Sequence, residues 1–205
     1  MNEKFLQLDL EKQKRIINAA LKEFAYYGYK QASTNSIAKE AGISKGALFL
    51  YFNNKANLYV YLLEFYTQYV LQMVEQHQLL QEKDVFKRHR VITELKIKTF
   101  YEYPYIVDFI HRAIIEKDPE VYPAISDFIN KTRENYPQFL LDIDRTAFKD
   151  DIDIDKAIEI IMWTMEGFSN QMRHELINKK DVRDYEQILD VMDEYLTLLK
   201  QMFYK

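Results

Sequence analysis

Thr34-Asn35-Ser36-Ile37-Ala38-Lys39-Glu40-Ala41-Gly42-Ile43-Ser44-Lys45-Gly46-Ala47-Leu48-Phe49 is the stretch whose reading decides the fold. Ser33-Thr34 suits the opening of a short helix that runs through Ala41. Ser44 suits the cap of a second, shorter helix through about Phe49. Gly42 lies between them, where a sharp turn needs a positive φ. Two short helices crossing steeply must share a small core, and Ile37, Ala41, Ile43 and Leu48 are spaced to supply it. Ala38 is small enough to let the helices approach closely. A small residue, three intervening residues, Gly and then an apolar residue is the steric signature of a helix-turn-helix. The same turn chemistry also serves an ordinary αα-hairpin in a bundle.

The polar residues favour the first reading. Once the apolar positions are committed to the core, Thr34, Asn35, Ser36, Lys39, Ser44, Lys45 and Gly46 remain exposed. Hydroxyls, an amide and lysines near helix N-termini suit phosphate oxygens, which accept hydrogen bonds and attract cations. Gly46 weakens the helix that it opens. Close approach of the backbone to DNA is one reason for it, and tight packing within the chain is the other.

Outward from this stretch the chain reads as all-α, with about nine helices. It has four Gly and four Pro, and no run alternates apolar and polar residues long enough for a convincing strand. A first helix spans about Asp9 to Tyr27, capped by Asp9 and stopped by Gly28, with Ile17, Ala20, Leu21 and Phe24 as its apolar stripe. Asn53 or Asn54 caps a long helix reaching about Gln81. Further helices read near 85–102, 104–117, 121–140, 154–177 and 182–203. Phe52 is expected to be buried and Tyr51 to face outward.

Charge divides the chain as well. Residues 1–60 hold nine Lys/Arg and five Asp/Glu, whereas the remainder holds 19 and 27. A basic head on an acidic body fits a nucleic-acid reader with a separate second domain. The expected division is a helix-turn-helix domain over 1–53 and a helical ligand-binding and dimerisation domain over 54–205.

The segment from Arg15 to Leu58 resembles the DNA-binding domain of the TetR family of regulators. The residues that carry this are Ile17, Ala20, Phe24, Gly28 and Tyr29, then Thr34, Ile37, Ala38, Ala41-Gly42-Ile43-Ser44-Lys45-Gly46, Leu48-Phe49, Tyr51-Phe52, Asn54-Lys55 and Leu58. Leu50 departs from the pattern, since many relatives carry an aromatic residue or His there. The resemblance implies that Thr34 contacts a phosphate and that Lys45, Gly46 and Phe49 lie in or beside the major groove. It also implies phosphate contacts from the Tyr51 hydroxyl and from Lys55 at the start of the next helix. Asn35, Ser36 and Ser44 complete the expected DNA-facing set. The implied partners are double-stranded operator DNA, a second copy of the chain and an unidentified small-molecule effector. The expected function is that of a ligand-responsive repressor, released by a small apolar or amphipathic molecule. The helix that starts at Lys55 is the expected lever between ligand and DNA.

The second domain is acidic and aromatic. The resemblance implies a ligand pocket there, for which Tyr101, Tyr105, Phe109, Arg112, Trp163, Glu166 and Asn170 are candidate lining residues. Core packing is the alternative explanation of each aromatic residue. Met165, Phe168 and Met172, with Ile188, Met192, Leu196 and Leu199, form apolar stripes expected to make the dimer. Burial of both stripes within one chain is the alternative.

Other functions find little support. There is no Cys, which excludes disulfides, thiolate zinc sites and cysteine nucleophiles. His77, His89, His111 and His174 are scattered, so no metal site is expected. Asp151-x-Asp153-x-Asp155 lacks the Gly and Glu of a calcium loop, and Asp153 reads better as a helix cap. No phosphate-binding Gly loop, nucleophile elbow or catalytic triad is evident, so neither a cofactor nor an enzyme is expected. Lys87-Arg88-His89-Arg90 reads as solvated surface. The absence of a signal peptide core and of a long apolar run points to a cytoplasmic protein without membrane contact. The alternative from another class is a helical ligand carrier that keeps the hairpin for packing alone.

Overall fold

The computed structural model describes residues 3–178 and 185–205, with side chains described outside 135–141, 173–178 and 185–186. Ten α-helices and one 3-10 turn are formed among the described residues, in the order α1 (Glu3–Leu6), α2 (Leu10–Gln31), α3 (Thr34–Glu40), α4 (Lys45–Phe52), α5 (Lys55–Gln76), α6 (Val85–Glu102), α7 (Ile106–Ile115), α8 (Tyr122–Leu141), the 3-10 turn Arg145–Ala147, α9 (Ile154–Asn178) and α10 (Tyr185–Phe203). The extended pairing among them is one isolated bridge, Phe148 to Tyr204. The all-α reading therefore holds. The expected beginning of the last helix at 182 lies outside the described residues.

Two compact units form. Met1–Met73 with Thr99–Pro137 makes the first, and Val74–Lys98 with Gln138–Lys205 makes the second. The first unit contains the whole helix-turn-helix segment, most of α5, the end of α6, all of α7 and most of α8.

Capping explains where the early helices begin. The Asp9 carboxylate accepts from the Lys12 amide at 2.8 Å and opens α2. Gly28 (φ 67, ψ −178) breaks the helical geometry within α2, as its sequence position suggested, but helical turns resume through Gln31. The core of the first unit gathers Ile16, Ala20, Leu21 and Phe24 of α2, Ile37 of α3, Leu48 of α4, Leu58, Tyr59 and Leu62 of α5, and Ile106 and Phe109 of α7. Edge-on aromatic contacts knit it, with Tyr59 at 5.0 Å from both Phe24 and Phe109 and 5.3 Å from Tyr29. The short α1 was not anticipated. It places Phe5, 1% exposed, against Tyr51, Phe52 and Tyr61 at 6.1, 4.8 and 5.3 Å.

The second unit corrects two expectations. Arg88 and His89 are buried, not solvated surface. They face inward on α6, and the Arg88 guanidinium donates to the backbone carbonyls of Glu82 (2.8 Å) and Asp142 (2.6 Å), which satisfies a charge that would otherwise be costly to bury. The stripes assigned to the dimer are mostly buried within the chain. Met165, Phe168, Ile188, Met192, Leu196 and Leu199 are all below a tenth exposed, and Met172 is half-buried. α9 and α10 pack against each other, and Phe168 also lies 5.9 Å from the half-exposed Tyr195. Each helix keeps a second apolar face in the open, formed by Ile160 and Trp163 on α9 and by Val191, Tyr195, Leu198 and Met202 on α10.

Candidate nucleic-acid interface

α3 and α4 meet at a turn whose hydrogen bonds follow from its glycine. Gly42 adopts φ 68, the Ile43 amide donates to the Ala38 carbonyl at 2.9 Å, and the Gly42 amide donates to the Lys39 carbonyl at 3.2 Å. This is a Schellman closure, which ends α3 and turns the chain sharply. Ser33 caps α3 by accepting from the Ser36 amide at 3.3 Å, and Ser44 caps α4 by accepting from the Ala47 amide at 3.1 Å. Ile37, Ala38, Ala41 and Leu48 are buried between the helices, and Ile43 is partly buried. Every apolar position expected to form the hairpin core does so.

The outer surface is correspondingly polar. Asn35, Ser36, Lys39, Ser44, Lys45 and Gly46 are exposed, whereas Thr34 and Phe49 are half-buried. The Lys45 ammonium lies 5.7 Å from the centre of the Phe49 ring. A Cβ built on Gly46 would meet only the Ser44 Oγ, at 3.9 Å, which is ordinary contact distance. Packing within this chain therefore gives no reason for glycine at this position.

Two expectations need restating. Tyr51 does not face outward, because Phe5 covers its ring and only 8% of the residue is exposed. Phe52 is buried as expected. Lys55 is engaged inside the unit. Its Nζ donates to the carbonyls of Tyr29 (2.9 Å), Lys30 (3.2 Å) and Ala32 (3.4 Å), and it lies 4.6 Å from the centre of the Tyr29 ring.

The candidate effector residues fall in two places. Tyr101, Tyr105, Phe109 and Arg112 belong to the first unit, and Trp163, Glu166 and Asn170 to the second. Phe109 is fully buried in the core beside Phe24 and Tyr59. Tyr101 is half-buried and meets Phe100 edge-on. Tyr105 is half-buried 5.7 Å from Tyr26, and Arg112 is exposed beside Gly28. Trp163, Glu166 and Asn170 are all exposed on α9, and Trp163 is 64% exposed. Among the described residues no cluster of three or more His, Cys, Asp or Glu is placed to hold a metal ion, and no helix is long and apolar enough to cross a membrane. Asp153 opens α9 by accepting from the Lys156 amide at 3.1 Å.

These features define an all-helical protein whose N-terminal helix-turn-helix presents a polar, cationic face. Residues 16–62 match the family model of bacterial regulatory proteins, tetR family. Over these residues the chain is similar to the DNA-binding domain of that family. An uncharacterized HTH-type transcriptional regulator of Bacillus subtilis (strain 168), YuxN, is 50% identical over 56 residues, which are 27% of this chain and 19% of that protein. Such matches span 19% to 42% of the length of the curated relatives. Beyond the N-terminal domain the likeness is one of fold. A TetR family transcriptional regulator from Chloroflexus aurantiacus J-10-fl superimposes with a TM-score of 0.65 at 21% identity, over 99% of this chain and 98% of that one. FadR from Bacillus subtilis, solved in complex with stearoyl-CoA, gives a TM-score of 0.52 at 18% identity, over 87% and 96%.

Proposed function

We propose that the chain is a DNA-binding transcriptional regulator that works as a homodimer and is released from its operator by a small apolar or amphipathic effector. The observation that carries the DNA reading is Gly46. It opens α4 on the exposed side, costs helix stability, and has no packing reason within the chain. A close-approaching backbone explains it. Ser44 and Lys45 beside it, and Thr34, Asn35 and Ser36 at the start of α3, supply donors suited to phosphate oxygens, and Phe49 is the apolar contact one turn further along α4. Tyr51, buried under Phe5, is not among them. This work would be done in the cytoplasm, where the DNA is.

The dimer reading transfers from the inner stripes to the outer ones. Ile160 and Trp163, with Val191, Tyr195, Leu198 and Met202, supply the apolar faces that a second copy would cover. Two copies place two recognition helices on one duplex, about 34 Å or a multiple of it apart. The effector class rests on the aromatic character of the second domain and on FadR, whose solved complex holds stearoyl-CoA. α5 starts beside the α2–α3 connection and runs for 22 residues, which makes it the proposed lever. By linkage, an effector that weakens operator binding is itself bound more weakly in the presence of operator, by the same factor.

The test is selection of duplexes from a random library, followed by a salt titration on the selected sequence. A regulator gives a steep fall of affinity with salt, and Lys45→Ala, present in both copies of the dimer, lowers the slope by about 1.8, or about 0.9 per copy. A carrier that keeps the hairpin only for packing selects no sequence and shows no such slope.

A further inference from the structure

The last turn of α2 and the two residues that join it to α3 are held from both sides. From α5, the Lys55 ammonium donates to the carbonyls of Tyr29, Lys30 and Ala32. An ammonium has three N–H bonds, so its capacity is filled. The carbonyls that it satisfies are those left without partners where a helix ends. From the α7–α8 connection, a Glu116 carboxylate oxygen accepts from the Tyr29 amide at 3.0 Å, and Glu120 accepts from the Tyr29 hydroxyl at 2.6 Å. The other Glu116 oxygen accepts from the amides of Lys117 (2.9 Å) and Asp118 (3.1 Å), which fixes the carboxylate in place. Glu23 of α2 then accepts from the amide of Ser33, the residue that caps α3, at 2.8 Å. Gly28 is the pivot. A Cβ there would come within 3.1 Å of the Arg112 guanidinium and 3.3 Å of the Glu116 carboxylate, at a φ that side chains rarely adopt.

We propose that the stretch from Tyr29 to Ser33 is a latch, clamped between Lys55 and the pair Glu116 and Glu120, that sets the aim of the α3 N-terminus at DNA. This rests on the DNA-binding reading above. Lys55 is a positioning residue within it, not a phosphate contact. To reach a phosphate, its ammonium would have to abandon three carbonyls, two of them in part-buried bonds. Glu116 and Glu120 hold the same stretch from the end of α7, whose face packs on α2 through Phe109 and Phe24. A shift of α7 along α2 would pull Tyr29 away from Lys55 and turn Thr34 and Ser36 off their phosphates. α7 is thereby a second route from effector to DNA, independent of tilting α5.

The experiment compares Lys55→Met, Glu116→Leu, their double variant and Lys45→Ala, each as full-length protein with a thermal midpoint recorded. Two measurements are made: affinity for the selected duplex against salt, and amide exchange at Tyr29 and Ala32 in the free protein. Lys55→Met is expected to lower affinity about tenfold at every salt concentration with the wild-type slope intact, whereas Lys45→Ala, present in both copies, flattens the slope by about 1.8. Glu116→Leu is expected to weaken binding although it removes a negative charge, and the double variant loses less than the product of the two. A slope flattened by Lys55→Met as much as by Lys45→Ala would make Lys55 a direct contact and overturn the latch. So would a Lys55→Met variant with unchanged affinity. If Lys55→Met does not fold, Lys55→Arg keeps the charge but puts a planar fork where three carbonyls surround a compact ammonium. A direct contact then keeps its affinity, and a latch loses it. Should the wild type bind no DNA, the functional reading fails, and the exchange measurement still decides the latch. Exchange at Tyr29 and Ala32 at least tenfold faster in both single variants supports it, and unchanged exchange overturns it.

Discussion

The α3–α4 hairpin and the α9–α10 pair are both helix pairs joined by apolar contacts, yet their sequences disclose them to different depths. In the hairpin, each decision is local. Gly42 alone meets the demand for positive φ, Ser33 and Ser44 alone supply the caps, and Ile37, Ala41 and Leu48 have one face on which to meet. In α9 and α10, apolar residues lie on two faces of the same helix. Met192 at 0% exposed and Leu198 at 55% exposed are both apolar residues at helical spacing from Tyr195. Periodicity reveals amphipathic helices without saying which stripe faces the same chain and which a partner. That choice depends on contacts between segments far apart in sequence.

Charging each stripe of α10 in turn should separate the inner face from the outer one. Met192→Asp buries an unpaired carboxylate and should cost about 3–5 kcal/mol, leaving protein that unfolds early or fails to accumulate. Leu198→Asp should leave the chain folded and shift sedimentation at micromolar concentration from dimer to monomer. If Leu198→Asp stays dimeric with a wild-type midpoint, the outer stripe is not the interface.

A second difference is electrostatic. The second unit buries an ionisable group, whereas the hairpin core is wholly apolar. Burial in the first place, and then the charges of Lys96 and Arg88, pushes His89 down to about 4. The folded value lies below the unfolded value of about 6.5, so the unfolded chain binds the extra proton between them. Stability should fall as pH drops from about 6.5 to 4, by on the order of 3 kcal/mol from this group. Denaturant melts of wild type and His89→Asn across that range check it. A parallel loss in both proteins would remove His89 as the cause.

Gly42→Ala probes the local side. A Cβ meets nothing within 4 Å there, so the cost is that of φ 68 alone, about 1–2 kcal/mol. A denaturation midpoint shifted by less than the error of the melt would show that the turn relaxes without its glycine.

Legibility follows the same division elsewhere in the molecule. The caps at Asp9 and Asp153, the break at Gly28 and the span of α6 were readable, because each depends on neighbours within a turn. The burial of Tyr51 was not, since it requires Phe5 of α1, a four-residue helix with too little length to show a period. Lys55 is instructive for the candidate site. Its residue type and its place at a helix start both fit a phosphate contact, and only the return of the chain from α2 shows three carbonyls around it. Trp163, read as a pocket residue for its aromatic character, stands on the open face of α9.

In the proposed complex α4 brings its backbone against DNA at Gly46. Gly46→Ala and Gly46→Leu place a side chain in open space on a helix, so both should raise the stability of the free protein by about 0.5–1 kcal/mol, or a few degrees in midpoint. The same substitutions should weaken binding to the selected duplex, by at least tenfold for Leu, with Ala intermediate. Stability rising while affinity falls is the result expected of a glycine kept for its DNA. Affinity equal to wild type in the stabilised Gly46→Leu protein would mean that the α4 backbone does not approach DNA at this position.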